Sequence, residues 1–328
     1  MEWIKKLLLL VATVFFAMTV TFAVIRVMPG DPVETMAMTM VREQGIDYES
    51  AYRQSQAMLN YDPSRPITEE YMEYISDLSR GDLGISMVYR APVSSLVFSA
   101  LPWTIFIFSS ALFISFIIGV LLGMFIAWRR QTLLDPVLSI YSSITGSIPS
   151  YILAFIFIMI FSVRMGLVPS RGAYDSAIPP GLNMAYIGSV LLHAVLPISS
   201  NVVASLGMWG LSMKASAMSI LGEDYINAAR VRGLPNRRIV LSYVGRNAML
   251  PLVTQLAISF AMIFGGSPLI ENMFLYPGVG YFLNQAIARR DYLLMQGMFL
   301  IITVAVVSAN LLAELLYSVL DPRLRTEG

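Results

Sequence analysis

Few side chains in this chain are equipped for covalent chemistry. Cysteine is absent and histidine occurs once, at His193, which excludes thiol nucleophiles, disulfides, thiolate metal sites and an H-E-x-x-H metal centre. The lysines are Lys5, Lys6 and Lys214; none follows a glycine, so no G-x-x-x-x-G-K-[ST] loop is present to cradle nucleotide phosphates. The expectation is a chain with no catalytic residue, no metal site, no bound cofactor and no ATPase site of its own. Its distinctive segment is mechanical: Gly222-Glu223-Asp224-Tyr225-Ile226-Asn227-Ala228-Ala229-Arg230-Val231-Arg232-Gly233-Leu234-Pro235. Glu223 and Asp224 complement the positive end of a helix dipole, and Arg230 and Arg232 the negative end. Gly233 can take the left-handed cap, and Pro235 prevents continuation. Ala228 and Ala229 are expected to bare one flank, with Tyr225 and Ile226 as larger knobs, a shape suited to a partner's groove. An amphipathic helix resting on lipid headgroups is the competing reading. The segment has no broad Leu/Phe/Trp face, which favours docking.

The elements that must position this segment are set by composition. Of 328 residues, 56% are hydrophobic and 13% charged, about half the charged share of a soluble domain. Net charge of +1 gives no reason to expect nucleic acid. The apolar residues fall in long runs, and a bilayer core ~30 Å thick needs about 20 of them per helix. The pattern predicts an all-α polytopic membrane protein with six transmembrane helices. The first is expected within 1–30, retained rather than cleaved because no small-residue processing site follows it. The others are expected near 101–128, 136–163, 185–211, 251–270 and 297–320. Residues 31–98 form a polar loop, read as a small extracytoplasmic subdomain, and 99–320 the membrane core. The docking loop is 212–248 and the tail 321–328. Within the subdomain, Thr68-Glu69-Glu70 opens an amphipathic helix capped by Gly81.

With the N-terminus in the cytoplasm, the inner segments hold twelve basic residues (Lys5, Lys6, Arg129, Arg130, Lys214, Arg230, Arg232, Arg237, Arg238, Arg246, Arg323, Arg325) against six acidic ones. That bias predicts both termini inside. Several spans are punctuated: Gly146 and Pro149 interrupt the third, Pro197 with Ser199, Ser200 and Asn201 the fourth, and Gly265, Gly266 and Pro268 end the fifth. Backbone groups freed in hydrocarbon need partners or water. Such breaks fit either a wet path or tight packing through small residues. The path candidates are Ser147, Pro149, Asn201, Gln255 and Ser259. His193 reads as a packed histidine rather than a proton relay, Glu314 as a snorkelling or paired acid, and the scattered methionines as adaptable packing.

The pattern Ala228-Ala229-x-x-x-Gly233 with Leu250-Pro251 resembles the EAA loop of ABC importer permeases, with Asn227 where a glutamate often stands. Further motifs narrow the resemblance to the oligopeptide/dipeptide/nickel type, first permease subunit. These are Met28-Pro29-Gly30-Asp31-Pro32, Gly81-Asp82-Leu83-Gly84-Ile85-Ser86, Ile148-Pro149-Ser150, Glu223-Asp224-Tyr225, Glu271-Asn272-Met273-Phe274, Tyr276-Pro277-Gly278-Val279-Gly280, Arg290-Asp291-Tyr292 and Asp321-Pro322-Arg323. The resemblance implies a type I importer permease fold in a prokaryotic cytoplasmic (inner) membrane. The implied partners are a homologous second permease, two cytoplasmic subunits that bind ATP-Mg, and an extracytoplasmic substrate-binding protein. It implies ATPase docking through Glu223, Asp224, Tyr225, Ala228, Ala229 and Gly233, with Arg230, Arg232, Arg237 and Arg238 as rim charge or simply retained positive charge. The outer loop, with Arg42, Arg53, Arg65, Arg80 and Arg90, is implied as the landing surface for the binding protein. The implied cargo is an oligopeptide or dipeptide, with oligosaccharides or metal chelates as the alternative.

A function of another class, an ion-coupled secondary transporter, would need several buried acids or histidines and an inverted repeat. The sequence offers Glu314 alone deep in a span and no repeat. A membrane-embedded enzyme would need a nucleophile and base that the composition does not supply. A non-transporting sensor built on the same fold remains open at this level.

Overall fold

The structure, a computed structural model, describes residues 2–27, 32–59, 66–129 and 132–320. Met28 to Asp31, Arg65, Arg130, and the tail with Asp321, Pro322, Arg323 and Arg325 lie outside the described residues. So do the side chains of Lys5, Lys6 and Glu314. In chain order the helices are α1 (Glu2–Val27), α2 (Pro32–Gln44), α3 (Tyr48–Leu59), α4 (Ile67–Ser79), α5 (Val93–Trp128), α6 (Leu134–Ser147), α7 (Ser150–Phe157), α8 (Met184–Leu221) and α9 (Asp224–Val231). They continue as α10 (Asn236–Arg238), α11 (Arg246–Met262), α12 (Pro268–Met273), α13 (Val279–Arg289) and α14 (Tyr292–Leu320). Among the described residues every regular element is helical, and a single isolated bridge joins Ile85 to Pro92. Four helices are long and apolar enough to cross a membrane, five if α6 and α7 are one bent span; α1 adds a shorter apolar stretch, Leu8–Val24. The protein is therefore an all-helical, multi-pass membrane protein.

The bend in the third span follows from local chemistry. Proline disfavours helical backbone at the residue before it. Ile148 is accordingly extended (φ −98°, ψ 121°), and α6 and α7 meet at 98° around Pro149. The expected break at Pro197 does not occur: α8 runs unbroken from Met184 to Leu221. Pro197 is buried there, and α8 packs on α5, α6, α7 and α11, so tertiary contacts hold the helix through a residue that disfavours it.

Two helices are longer than the apolar runs suggested. The expected fourth span extends to Leu221 rather than 211, and the expected fifth begins at Asn236 and runs to Gly265, so Pro251 sits inside it. The linking loop shrinks to 222–235. Gly266 ends the fifth span with φ +64°, as its sequence position suggested.

Helix α5 and α8 form the central pair. Gly119 and Gly123 lie one turn apart on α5, and a Cβ at Gly119 would come within 2.6 Å of Trp209 Cβ on α8. Small residues let membrane helices approach to backbone contact, where dispersion and packing replace the missing hydrophobic drive. The buried Trp209 then meets Phe116 edge-to-face at 5.1 Å. A Cβ at Gly207 would in turn strike Ser142 of α6 at 2.7 Å.

Within 31–98 the described residues form α2, α3, α4 and the start of α5. Val33, Ala37, Met40 and Ala51 bury the seam of α2 and α3. Asp47 accepts hydrogen bonds from the Glu49 and Ser50 amides (3.2 and 3.1 Å) and caps α3. Helix α4 has Glu69 and Glu70 in its first turn, and Gly81 follows with φ +78°. Its aromatic face lies on α1: Tyr71 and Thr19 hydroxyls are 2.6 Å apart, and Phe22 packs on Tyr71 and Tyr74. Burial there pushes the Tyr74 phenol up to about 12.

Candidate functional site

Two assemblies carry the sequence motifs, one at each end of the helix bundle. The first is α9. Glu223 is extended at its N-terminus, and the Gly233 amide donates to Arg230 O (2.9 Å) and the Leu234 amide to Ala229 O (3.2 Å). Gly233 has φ +73°, the left-handed conformation that glycine adopts without steric cost. Ile226 and Ala229, three residues apart and so on one helix face, are 0% and 3% exposed. They pack with Leu221, Ile239, Val244 and Ala248 in the same core as Trp209. The expected exposed flank of paired alanines is thereby corrected: Ala228 is exposed, Ala229 is not, and Ile226 is an anchor rather than a knob.

What α9 presents outward is Glu223, Asp224, Tyr225, Ala228 and Gly233, together with Val231 at 88% exposure. Sequence reasoning passed over Val231. An apolar side chain directly before Arg232 in an otherwise polar outer face was the available signal. Asn247 of α11 donates to the Tyr225 hydroxyl at 3.2 Å, a second tie between α9 and the spans. Arg230, Arg232, Arg237 and Arg238 are all exposed around this face. The arrangement is a short helix packed on α8 and α11, with Ala228 and Gly233 exposed on its far side.

The second assembly lies at the opposite termini of the spans and joins motifs far apart in sequence. Glu271 of α12 is 1% exposed. Its carboxylate accepts the Thr104 hydroxyl of α5 at 2.8 Å and the Tyr281 amide of α13 at 2.9 Å. Thr104 Oγ1 itself accepts the Val279 amide at 2.8 Å. A Cβ at Gly278 would sit 2.5 Å from both Glu271 Cδ and Thr104 Oγ1, and one at Gly280 would sit 2.9 Å from Glu271 Oε2. Only glycine leaves room for the carboxylate. Glu271 lies between the spans, and burial pushes its carboxyl up to about 7, although the Thr104 hydroxyl and surrounding amides pull it down.

Asp291 repeats the construction. It is fully buried and accepts the Ser86 hydroxyl (2.5 Å), the Val88 amide (3.0 Å) and the Leu294 amide (3.1 Å). Ser86 Oγ accepts the Tyr89 amide at 3.0 Å. The Gly81–Ser86 motif and the Arg290-Asp291-Tyr292 motif thus form one latch. Thr104 was invisible to sequence reasoning because nothing marks a lone threonine in an apolar helix.

The path candidates are distributed over the α6–α7 bend, α8 and α11. Ser147 is exposed and donates to Ser143 O (2.8 Å); Asn201 is half-buried and donates to Pro197 O (2.8 Å). Pro149 and Gln255 are exposed and Ser259 is half-buried. The polar atoms of Ser147 and Asn201 bond within their own helices, so these two satisfy local backbone first. His193 is half-buried, with Nδ1 2.8 Å from Ser189 O. Arg42, Arg53, Arg80 and Arg90 are exposed within the 31–98 region. Among the described residues no three His, Asp or Glu side chains gather as a metal site.

Residues 119–326, the part that carries α8, α9 and the Glu271 and Asp291 acids, match the family described as binding-protein-dependent transport system inner membrane component. The chain belongs to that family. This permease is 30% identical over 334 residues to the di/tripeptide transport system permease protein DppB of Pseudomonas aeruginosa, covering 98% of this chain and 97% of the relative. It is 31% identical over 343 residues to the dipeptide transport system permease protein DppB of Escherichia coli K12, covering 99% of each. It is 30% identical over 324 residues to the glutathione transport system permease protein GsiC of the same strain, covering 98% of each. The permease therefore shares nearly its whole length with these relatives, the 31–98 region included.

Proposed function

We propose that this permease forms, with a homologous second permease, the membrane path of an ATP-driven importer for short peptides. The observation that carries the reading is the near end-to-end similarity to permeases named for dipeptides, tripeptides and glutathione. Six spans suit it: α1, α5, the bent α6–α7 pair, α8, the helix over 236–265, and α14. Both termini then lie in the cytoplasm of a prokaryotic inner membrane, and residues 31–98 form an extracytoplasmic subdomain that meets the binding protein.

In this reading α9 is the lever. Glu223, Asp224, Tyr225, Ala228 and Gly233 seat in a cleft of a cytoplasmic ATPase subunit, with Val231 as an added apolar contact. Ala229 contributes by fixing α9 to the permease core. Because Ile226, Ala229 and Tyr225 tie α9 to α8 and α11, a push on α9 moves those spans as one body. ATP-Mg binds the partner subunits. Path residues are Ser147, Pro149, Asn201, Gln255 and Ser259, around the α6–α7 bend and the facing spans.

The test is reconstitution of the assembled transporter in proteoliposomes with its binding protein. Uptake of a labelled dipeptide that requires ATP inside and the binding protein outside is expected. Uptake by this chain alone, or uptake driven by an ion gradient without ATP, would overturn the proposal.

A further inference from the structure

The fifth span changes its winding where it leaves α9. Between α10 and α11 the backbone over Ile239–Gly245 winds as a π-helix, in which each amide reaches back five residues instead of four. Another π segment, Ile158–Arg164, ends its span, whereas this one lies inside a span that continues to Gly265. Ile239 and Val244 share a buried core with Ile226 and Ala229 of α9. A Cβ at Gly245 would stand 3.1 Å from Val240 O, so the wide turn closes on a residue without a side chain.

Asn247 sits where the helical ladder is interrupted on both sides. Pro251 has no N–H to give the Asn247 carbonyl, its acceptor in a regular helix. On the other side, Asn247 Nδ2 donates to Tyr243 O at 2.7 Å, the carbonyl that the Asn247 backbone amide takes in a continuous α-helix. The same nitrogen donates to the Tyr225 hydroxyl of α9 at 3.2 Å. A carboxamide carries two N–H donors, so one side chain holds both the end of the π turn and α9. Ser216 of α8 donates to Ala248 O at 2.8 Å and braces the next turn.

We infer that Asn247 is a positioning residue for import, which senses α9 through Tyr225 and sets the winding of the fifth span over 239–245; this rests on the importer reading above and deepens it. The inner ends of α8 and the fifth span set off together with α9. When Tyr225 draws away, Asn247 loses one of its two holds and swings off Tyr243 O. That carbonyl is then open to the Asn247 backbone amide, and the segment rewinds as α-helix. Rewinding turns the outer part of the span about its own axis, and with it the path candidates Gln255 and Ser259 on α11.

The test uses the complete transporter with its binding protein, in proteoliposomes for uptake and in nanodiscs for hydrogen exchange. Asn247→Ala removes the carboxamide; Asn247→Gln keeps it on a longer stem. The alanine variant is expected to capture the ATPase subunits and hydrolyse ATP, while labelled dipeptide taken up per ATP falls about fivefold. The glutamine variant should recover part of that ratio. Tyr225→Phe removes the same bond from the α9 side, and the double variant should be no worse than the worse single one. Hydrogen exchange over 239–251 should slow in the wild type on trapping with ATP and vanadate, and should not respond in Asn247→Ala. A purely structural asparagine would lower the melting temperature and speed exchange equally in both nucleotide states, with the uptake ratio unchanged; that result overturns the inference. Protection of α9 on ATP trapping with none over 239–251 in the wild type also overturns it and leaves the importer reading standing. Wild-type uptake that needs no ATP sinks both.

Discussion

The Ser86 hydroxyl meets Asp291 Oδ2 at 2.5 Å across 205 positions of sequence. Thr104 and Glu271 repeat the arrangement across 167 positions. In each pair a hydroxyl donates to a buried carboxylate and itself accepts a backbone amide. Among the described residues neither acid forms a salt bridge; hydroxyls and backbone amides supply its donors. Asp291→Asn replaces one acceptor oxygen by an NH₂ donor and leaves a donor unmatched. Hydrogen exchange over 83–92 should accelerate in that variant, by the equivalent of about 1–3 kcal/mol. Unchanged protection at the Val88 amide would show that Asp291 does not hold the loop.

Glu271 gives the permease a stability that depends on pH. Its folded-state pKa of about 7 lies above the ordinary 4.5, so the folded state binds a proton that the unfolded chain releases. The penalty of burying the charge is present above the folded pKa. It is relieved as pH falls from about 7 towards 4.5. The melting temperature should therefore rise on acidification through that window, a difference of at most about 3 kcal/mol. Glu271→Gln should flatten this dependence. A wild-type melting temperature that falls steadily over the same range would contradict the assignment.

Glycines of this fold differ in what they tolerate. A methyl at Gly278 meets Glu271 and Thr104 at 2.5 Å, whereas one at Gly146 meets nothing within 4 Å. Gly278→Ala should destabilise by about 1–3 kcal/mol through overpacking. Gly146→Ala, in the last turn of α6, should be neutral or slightly stabilising. Differential scanning fluorimetry of the two purified variants decides this; equal melting temperatures would mean that the Glu271 cage yields.

On α9, burial separates docking residues from anchoring ones. Ala228→Glu and Val231→Glu should leave the permease folded and reduce capture of the ATPase subunits. Ala229→Glu places a carboxylate in the core beside Ile226, Val244 and Ala248, and should lower the yield of folded protein. Co-purification with the ATPase subunits and size-exclusion profiles report the two effects separately. Full ATPase capture by both surface variants would remove α9 from the interface.

The periodic features were legible in the amino-acid order. Apolar runs locate the spans, Pro149 marks the bend, Gly233 and Pro235 end α9, and Gly266 ends the fifth span, because each acts through its own backbone. The errors share one cause. Helix α8 passes Pro197 and runs ten residues past the apolar run, and the fifth span starts at Asn236, because surrounding helices stabilise turns that local preference does not.

Composition and spacing alone determined that this is a multi-pass helical protein with no phosphate-binding loop and a capped helix between two spans. Those properties depend on residues within a few turns of one another. Tertiary structure alone decided that Ala229 faces inward while Ala228 faces outward, and that Ser86 reaches Asp291 and Thr104 reaches Glu271. It also decided that Asn247 reaches Tyr225 of α9. A one-residue step turns a helical side chain by about 100°, and partners hundreds of positions apart carry no local mark of each other. Only the packed fold supplies those facts.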